Sequence, residues 1–130
     1  MAQKIATLAL VVAEYDPAIA WFTEKLGFEL IADTDMGGGK RWVVVGPSGD
    51  QGARLLLARA SDDEQRARAG DQTGGRVFLF LETDDFSRDY AAMRARGVKF
   101  LEEPRHEPYA SVAVFEDICG NRWDLLQPKG

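Results

Sequence analysis

Four side chains stand where acid–base or nucleophilic chemistry could begin: Asp124, His106, Tyr109 and Cys119. Asp124 interrupts the apolar run Arg122–Gln127, just after the tight turn Cys119-Gly120-Asn121. A carboxylate on a strand with apolar walls holds its proton more tightly than usual, and it can act as a base or anchor a donor group. His106, the sole histidine, lies in PRHEP between two prolines, which reads as a surface turn. A histidine there can serve as a general acid or base if the loop covers a cavity mouth together with Tyr109. Cys119 has no visible His or Asn relay, so nothing supports a nucleophilic role. One cysteine excludes an internal disulfide and fits a reducing, cytoplasmic compartment. One Cys and one His also exclude a Cys/His zinc cluster within a chain.

The elements that must position these groups follow from periodicity and turn residues. Ile5–Val12 is apolar on both faces and reads as a buried strand. Asp16-Pro17 opens a helix with Ile19, Phe22 and Leu26 on one face, and Gly27 closes it. Strands follow over 28–33, 41–45 and 53–60, with Met36-Gly37-Gly38-Gly39 as a flexible hairpin turn. That turn lacks the Lys-Ser/Thr ending and the following helix of a phosphate loop. Residues 61–74 form a polar connector with a short helix over 63–69. The pattern then restarts. A strand over 76–83 leads to an Asp84-Asp85 cap and a helix with Phe86, Tyr90 and Met93 on its apolar face, ended by Gly97. Strands over 98–101, 111–115 and 122–127 complete it, and Pro104–Pro108 reads as a turn. The order β-α-β-β-β thus occurs twice in an α+β chain, as modules 4–60 and 75–128 of a single domain spanning 1–130, and a doubled pattern of this kind buries its faces by pairing.

Alternation puts Arg122, Asp124 and Leu126 on one face of the last strand, and Trp123 and Leu125 on the other, against a helix. Asp124 then faces a cavity with Phe78 and Phe80 as ligand-stacking side chains. The plain alternative is a carboxylate paired with Arg54, Arg76 or Arg122. Trp21, Trp42 and Trp123 read as core or subunit contacts. The net charge of −5 and scattered cations exclude a nucleic-acid partner and disfavour an anionic membrane surface. The initial apolar run is too short to span a bilayer.

The stretches LVVAEYDPAIAWFTEKLGFEL, DDFSRDYAAMRARGVKF and VAVFEDICGNRWDLLQP, with the doubled βαβββ order, resemble the vicinal oxygen chelate superfamily of glyoxalase I, bleomycin-resistance proteins and extradiol dioxygenases. The resemblance implies two βαβββ modules whose curved mixed sheets surround a cavity, and a homodimer. Metal-using members of that superfamily hold a divalent ion with His, Gln or Glu at positions that fall here on Thr7, Leu56, Phe78 and Asp124. Only Asp124 is a good ligand, and one-residue slips bring none. The expectation is therefore a binder of a small organic ligand, with Thr7, Leu56, Phe78, Phe80, Arg122 and Asp124 at the ligand and with neither cofactor nor metal. The alternative is a glyoxalase-like or dioxygenase-like enzyme, a lyase or oxidoreductase acting on a small carbonyl, thiol adduct or aromatic compound. In that case Asp124 with Tyr109 or His106 would do the acid–base work. An interaction module using a sheet edge is the third class.

Overall fold

The structure is a computed structural model that describes residues 2–49 and 52–129. The chain packs as two compact units, residues 1–69 and 70–130, each built on a four-stranded mixed sheet.

In the first unit, β1 (Thr7–Val12) leads to α1 (Tyr15–Ala20), whose last turns widen to a π-type coil over Trp21–Lys25. β2 (Glu29–Gly37), β3 (Lys40–Gly46) and β4 (Arg54–Arg59) follow, and the sheet order is β1-β4-β3-β2. β1 runs parallel to β4, with Thr7 opposite Arg54 and Ala9 opposite Leu56; the other pairs are antiparallel. The side chains facing α1 form the core: Leu10, Val12, Val43, Val45, Leu55 and Leu57 are all buried. Full burial of each such residue stabilises the fold by roughly 1.5–3 kcal/mol. Gly27, at φ 80°, ends the helical segment in the left-handed conformation, as its position predicts. Asp16 does not cap α1. Glu14 occupies the cap position, and Asp16 lies inside the first turn, where it pairs with Arg41 at 2.8 Å.

α2 (Asp63–Arg68) starts at a capping Asp62, whose side chain accepts a hydrogen bond from Gln65 N. The second unit then repeats the order: β5 (Val77–Glu82), α3 (Phe86–Ala95), β6 (Arg105–His106), β7 (Ala110–Glu116) and β8 (Arg122–Pro128). Its sheet order is β5-β8-β7-β6, with β5 parallel to β8. Asp85 caps α3 through Arg88 N at 3.1 Å, as the Asp84-Asp85 pair predicts. Residues 98–101 do not form the expected strand: only Phe100 bridges to Phe115, and the sheet edge is the two-residue β6 inside the segment read as a turn. Pro104 and Pro108 flank that edge strand. A proline donates nothing to a ladder, which confines the pairing to Arg105 and His106. Phe86 and Met93 are buried on α3, and Ala113, Phe115, Trp123 and Leu125 are buried on the face of the sheet turned to it. Among the described residues, no helix is long and apolar enough to cross a membrane.

Candidate functional site

The turn between β7 and β8 determines how Asp124 is presented. Asp117, buried to 5% exposure, accepts hydrogen bonds at Oδ1 from the backbone N–H groups of Cys119, Gly120 and Asn121, at 3.0–3.1 Å. Its Oδ2 accepts from Asn121 Nδ2 at 3.1 Å and from Trp123 Nε1 at 3.0 Å. Asn121 Oδ1 in turn accepts from Gln72 N, which ties the start of the unit to the turn. A buried carboxylate is tolerable only when satisfied in this way. Gly120, at φ 102°, supplies the left-handed residue that the turn needs. The turn also fixes the phase of β8, because it puts Trp123 and Leu125 into the core and Asp124 on the opposite face.

On that opposite face, Asp124 lies between Phe80 of β5 and Val114 of β7. Phe80 is 64% exposed although it is a large aromatic group. Asp124 is half-buried, and its Oδ1 is shielded from solvent without a hydrogen-bond partner among the described residues. Burial pushes the Asp124 carboxyl above the ordinary carboxylate range; Arg105 pulls it back down, and Glu102 pushes it up further. These charged neighbours are not the Arg54, Arg76 or Arg122 considered from sequence. Arg105, on β6, donates its Nε–H to Glu102 Oε1 and Oε2 at 3.0 and 3.1 Å, and it also interacts electrostatically with Tyr109. Tyr109 is 65% exposed. The result is an unsatisfied acceptor beside an open aromatic ring, with a cation restrained at the rim. Such a face can accept a hydrogen bond or a positive group, or take up a proton.

The remaining predicted residues divide between the units. Arg122 shares the Asp124 face by alternation and is exposed. Phe78 sits at a bulge in β5, where the register against β8 slips, so it has no Cα partner beside Asp124. His106 lies on the other side of the sheet: its Nδ1 is 3.0 Å from Ser111 Oγ, and its ring meets Phe86 of α3 edge-on at 6.1 Å. It is not brought to Asp124, because successive residues of β6 point to opposite faces and Arg105 takes the near one. In the first unit, Thr7 and Leu56 share the face of the sheet turned away from α1. That unit also carries two concavities of about 440 and 370 Å³ around the β2–β3 hairpin, both touching Gly39 and Arg41. Arg41 is occupied there, held by Asp33 and Asp16 and lying over the Tyr15 ring. Arg105 and Glu102 escaped the sequence reading because PRHEP reads as a solvated turn. The available signal was the alternation of charge and aromatic residues from Glu102 to Tyr109 opposite a β-strand.

The donor set does not fit a divalent metal. Of Thr7, Leu56, Phe78 and Asp124, only the last offers an anionic oxygen, and the charged groups that act on it are a guanidinium and the carboxylate that binds it. Among the described residues, no three His, Cys, Asp or Glu side chains gather closely enough to hold an ion.

Residues 4–125 match the family model for the Glyoxalase/Bleomycin resistance protein/Dioxygenase superfamily. A protein of Shewanella frigidimarina (strain NCIMB 400) is 56% identical over 128 residues, covering 98% of this chain and 95% of the relative. Among solved structures, UcmS2 superposes with a TM-score of 0.84 at 28% identity, covering 97% of this chain and 98% of that one. TnmS3, an antibiotic binding protein from Streptomyces sp. CB03234, superposes with a TM-score of 0.78 at 29% identity, covering 98% of each chain. With two βαβββ units, a family match over nearly its full length and these neighbours, the chain belongs to the Glyoxalase/Bleomycin resistance protein/Dioxygenase superfamily.

Proposed function

We propose that the protein binds a small organic ligand against the open face of its second sheet, in the manner of a metal-independent antibiotic-binding or resistance-type member of the superfamily. The observation that carries this reading is Asp124 Oδ1, a solvent-shielded acceptor without a partner among the described residues, beside the exposed ring of Phe80. A buried unmet acceptor costs about 1–3 kcal/mol, and a ligand hydroxyl, amino or ammonium group removes that cost on binding. Phe80 offers a stacking surface for a planar ligand body. The resemblance to TnmS3, an antibiotic binding protein, supports the same class. The protein acts as a homodimer in a reducing, cytoplasmic compartment on this reading, and light scattering after gel filtration checks the dimer.

The test is an NMR titration with two planar probes, 2-naphthol and 2-naphthylmethylammonium. At least one binds and shifts the amides of Phe80, Val114 and Asp124. If neither perturbs that face at millimolar concentration, the assignment fails. Metal analysis of freshly purified protein is the companion measurement, and a stoichiometric divalent ion would overturn the metal-independent reading.

A further inference from the structure

One charged pair beside Asp124 has no role in the reading above. Arg105 and Asp124 belong to the same open face, separated by β7: Arg105 lies opposite Val112, and Asp124 lies opposite Val114. Two strand spacings across the sheet and two residues along it place their backbones about 12 Å apart, with Val112 and Val114 between them on the shared face. The two groups interact electrostatically, yet among the described residues Arg105 forms its hydrogen bonds with Glu102, through Nε and both carboxylate oxygens. Its Nη1 lies 3.8 Å from Glu107. Arg122 and Glu82 sit on the same face, opposite Val77 and Leu126, but the charged groups that act on Asp124 are Arg105 and Glu102.

We propose that Glu102 is a positioning residue for the ligand face: it restrains Arg105 at the sheet edge and so reserves Asp124 for a cationic group on an aromatic ligand. This rests on the reading of the Asp124–Phe80 face as the binding site, and it narrows the ligand from any hydrogen-bond donor to an aromatic cation. The argument is one of charge balance. Glu102 neutralises Arg105, and Glu107 at 3.8 Å adds a second carboxylate to the same guanidinium, so of the charged groups acting on Asp124 none is left to compensate its negative charge. A neutral hydroxyl satisfies the acceptor but leaves that charge uncompensated in a partly buried setting, whereas an ammonium or amidinium group does both. If Glu102 released Arg105, the guanidinium would supply the cation from within the protein, and the ligand would have to displace it.

The experiment compares 2-naphthylmethylammonium, 2-naphthol and 2-naphthoate by calorimetry, on wild type and on Glu102→Gln. The ammonium probe binds wild type most tightly and the carboxylate most weakly. In Glu102→Gln the ammonium affinity falls about fivefold, the scale set by partly exposed pairs such as Arg105–Glu102, with side chains 42% and 31% exposed. Arg105→Met, which removes the competing cation, restores that affinity when added to Glu102→Gln. The Arg105 Nε–Hε resonance reads the position of the guanidinium without any ligand. Glu102→Gln moves it, and adding Asp124→Asn to Glu102→Gln moves it again, whereas Asp124→Asn alone leaves it in place. If 2-naphthol binds as tightly as the ammonium probe, the cationic class is wrong, although the binding face stands. If no probe binds, both the face and the ligand class fall. If the Arg105 resonance in Glu102→Gln is indifferent to Asp124→Asn, Glu102 does not control access to Asp124.

Discussion

Asp124→Asn should make the unliganded protein more stable at neutral pH while weakening ligand binding. In wild type, Asp124 Oδ1 is shielded from water and has no hydrogen-bond partner among the described residues, and burial is the largest influence on its carboxyl. Asparagine keeps an oxygen acceptor at this place, so the gain comes from removing the charge: an ionised carboxylate without a partner costs more to shield from water than a neutral amide, by about 1–3 kcal/mol. Asp124 is only half-buried and Arg105 attracts it, so the low end, about 1 kcal/mol, is appropriate. In a domain of this size that corresponds to roughly 3–5 °C in Tm. The pH dependence separates charge from shape. The folded-state pKa lies above the ordinary value of 3.8, so between the two values the native state binds more protons than the unfolded chain. Stability from this group is therefore complete below the ordinary value and is lost as pH rises through the raised one. Asparagine has no such loss. The variant and wild type should converge as pH falls to the ordinary value of 3.8, and the variant's advantage should grow as pH rises above it. Urea unfolding of both proteins at intervals from pH 4 to 8, followed by tryptophan fluorescence, measures this directly. A variant less stable than wild type at pH 7, or an advantage equal at every pH, would refute the claim that an ionised, poorly solvated carboxylate sits on this face.

Asp117→Asn leaves the Trp123 indole N–H or the Asn121 amide facing a donor, and it removes charge from the hydrogen bonds of a buried turn. The loss should be about 3–5 kcal/mol, read as a Tm drop of roughly 10 °C or more together with a changed near-ultraviolet signal from Trp123. Gly70→Ala places a methyl group onto the Cys119 carbonyl oxygen at a residue with φ 85°, so it should lower stability by about 2 kcal/mol or more in urea. Phe80→Ala removes a ring that is 64% exposed, so stability should change by no more than about 0.5 kcal/mol. Affinity for the naphthyl probes should nevertheless fall roughly five- to tenfold in the same calorimetry. A large stability loss for Phe80→Ala would identify the ring as core instead.

The elements whose signals are local were legible in the sequence. Asp85 caps α3, Gly27 ends the first helical segment, and the alternation of Trp123, Asp124 and Leu125 separates core from open face, because each follows from residues a few positions apart. The failures occurred where the deciding partner is distant in sequence. Asp16 has the type and place of a cap, but Arg41, from β3, draws it into an ion pair and holds Asp33 in a second one. Residues 98–101 have the composition of a strand but touch β7 only through one bridge, Leu101 N–H donating to the Val114 carbonyl and Glu116 N–H to the Lys99 carbonyl, and the regular edge pairing falls on Arg105–His106. His106 was grouped with Asp124 because PRHEP reads as a loop that covers a cavity mouth together with Tyr109. The one-residue alternation of β6 separates them onto opposite faces and puts Arg105, which had been passed over, beside the carboxylate.

The two carboxylates at Asp117 and Asp124 meet opposite surroundings within one short segment. They are seven residues apart and flank one turn. Asp117 is met by three backbone amides and two side-chain donors, so its burial holds the turn and the strand phase in place. Asp124 is delivered by that turn to a place where its Oδ1 is met by nothing in the described chain. A sequence optimised only for stability would put an apolar residue there, because valines and a phenylalanine already surround it on its own face. An acid that lowers stability, held in phase by a second acid that raises it, is the arrangement expected when a surface is kept for a partner that the fold itself does not supply.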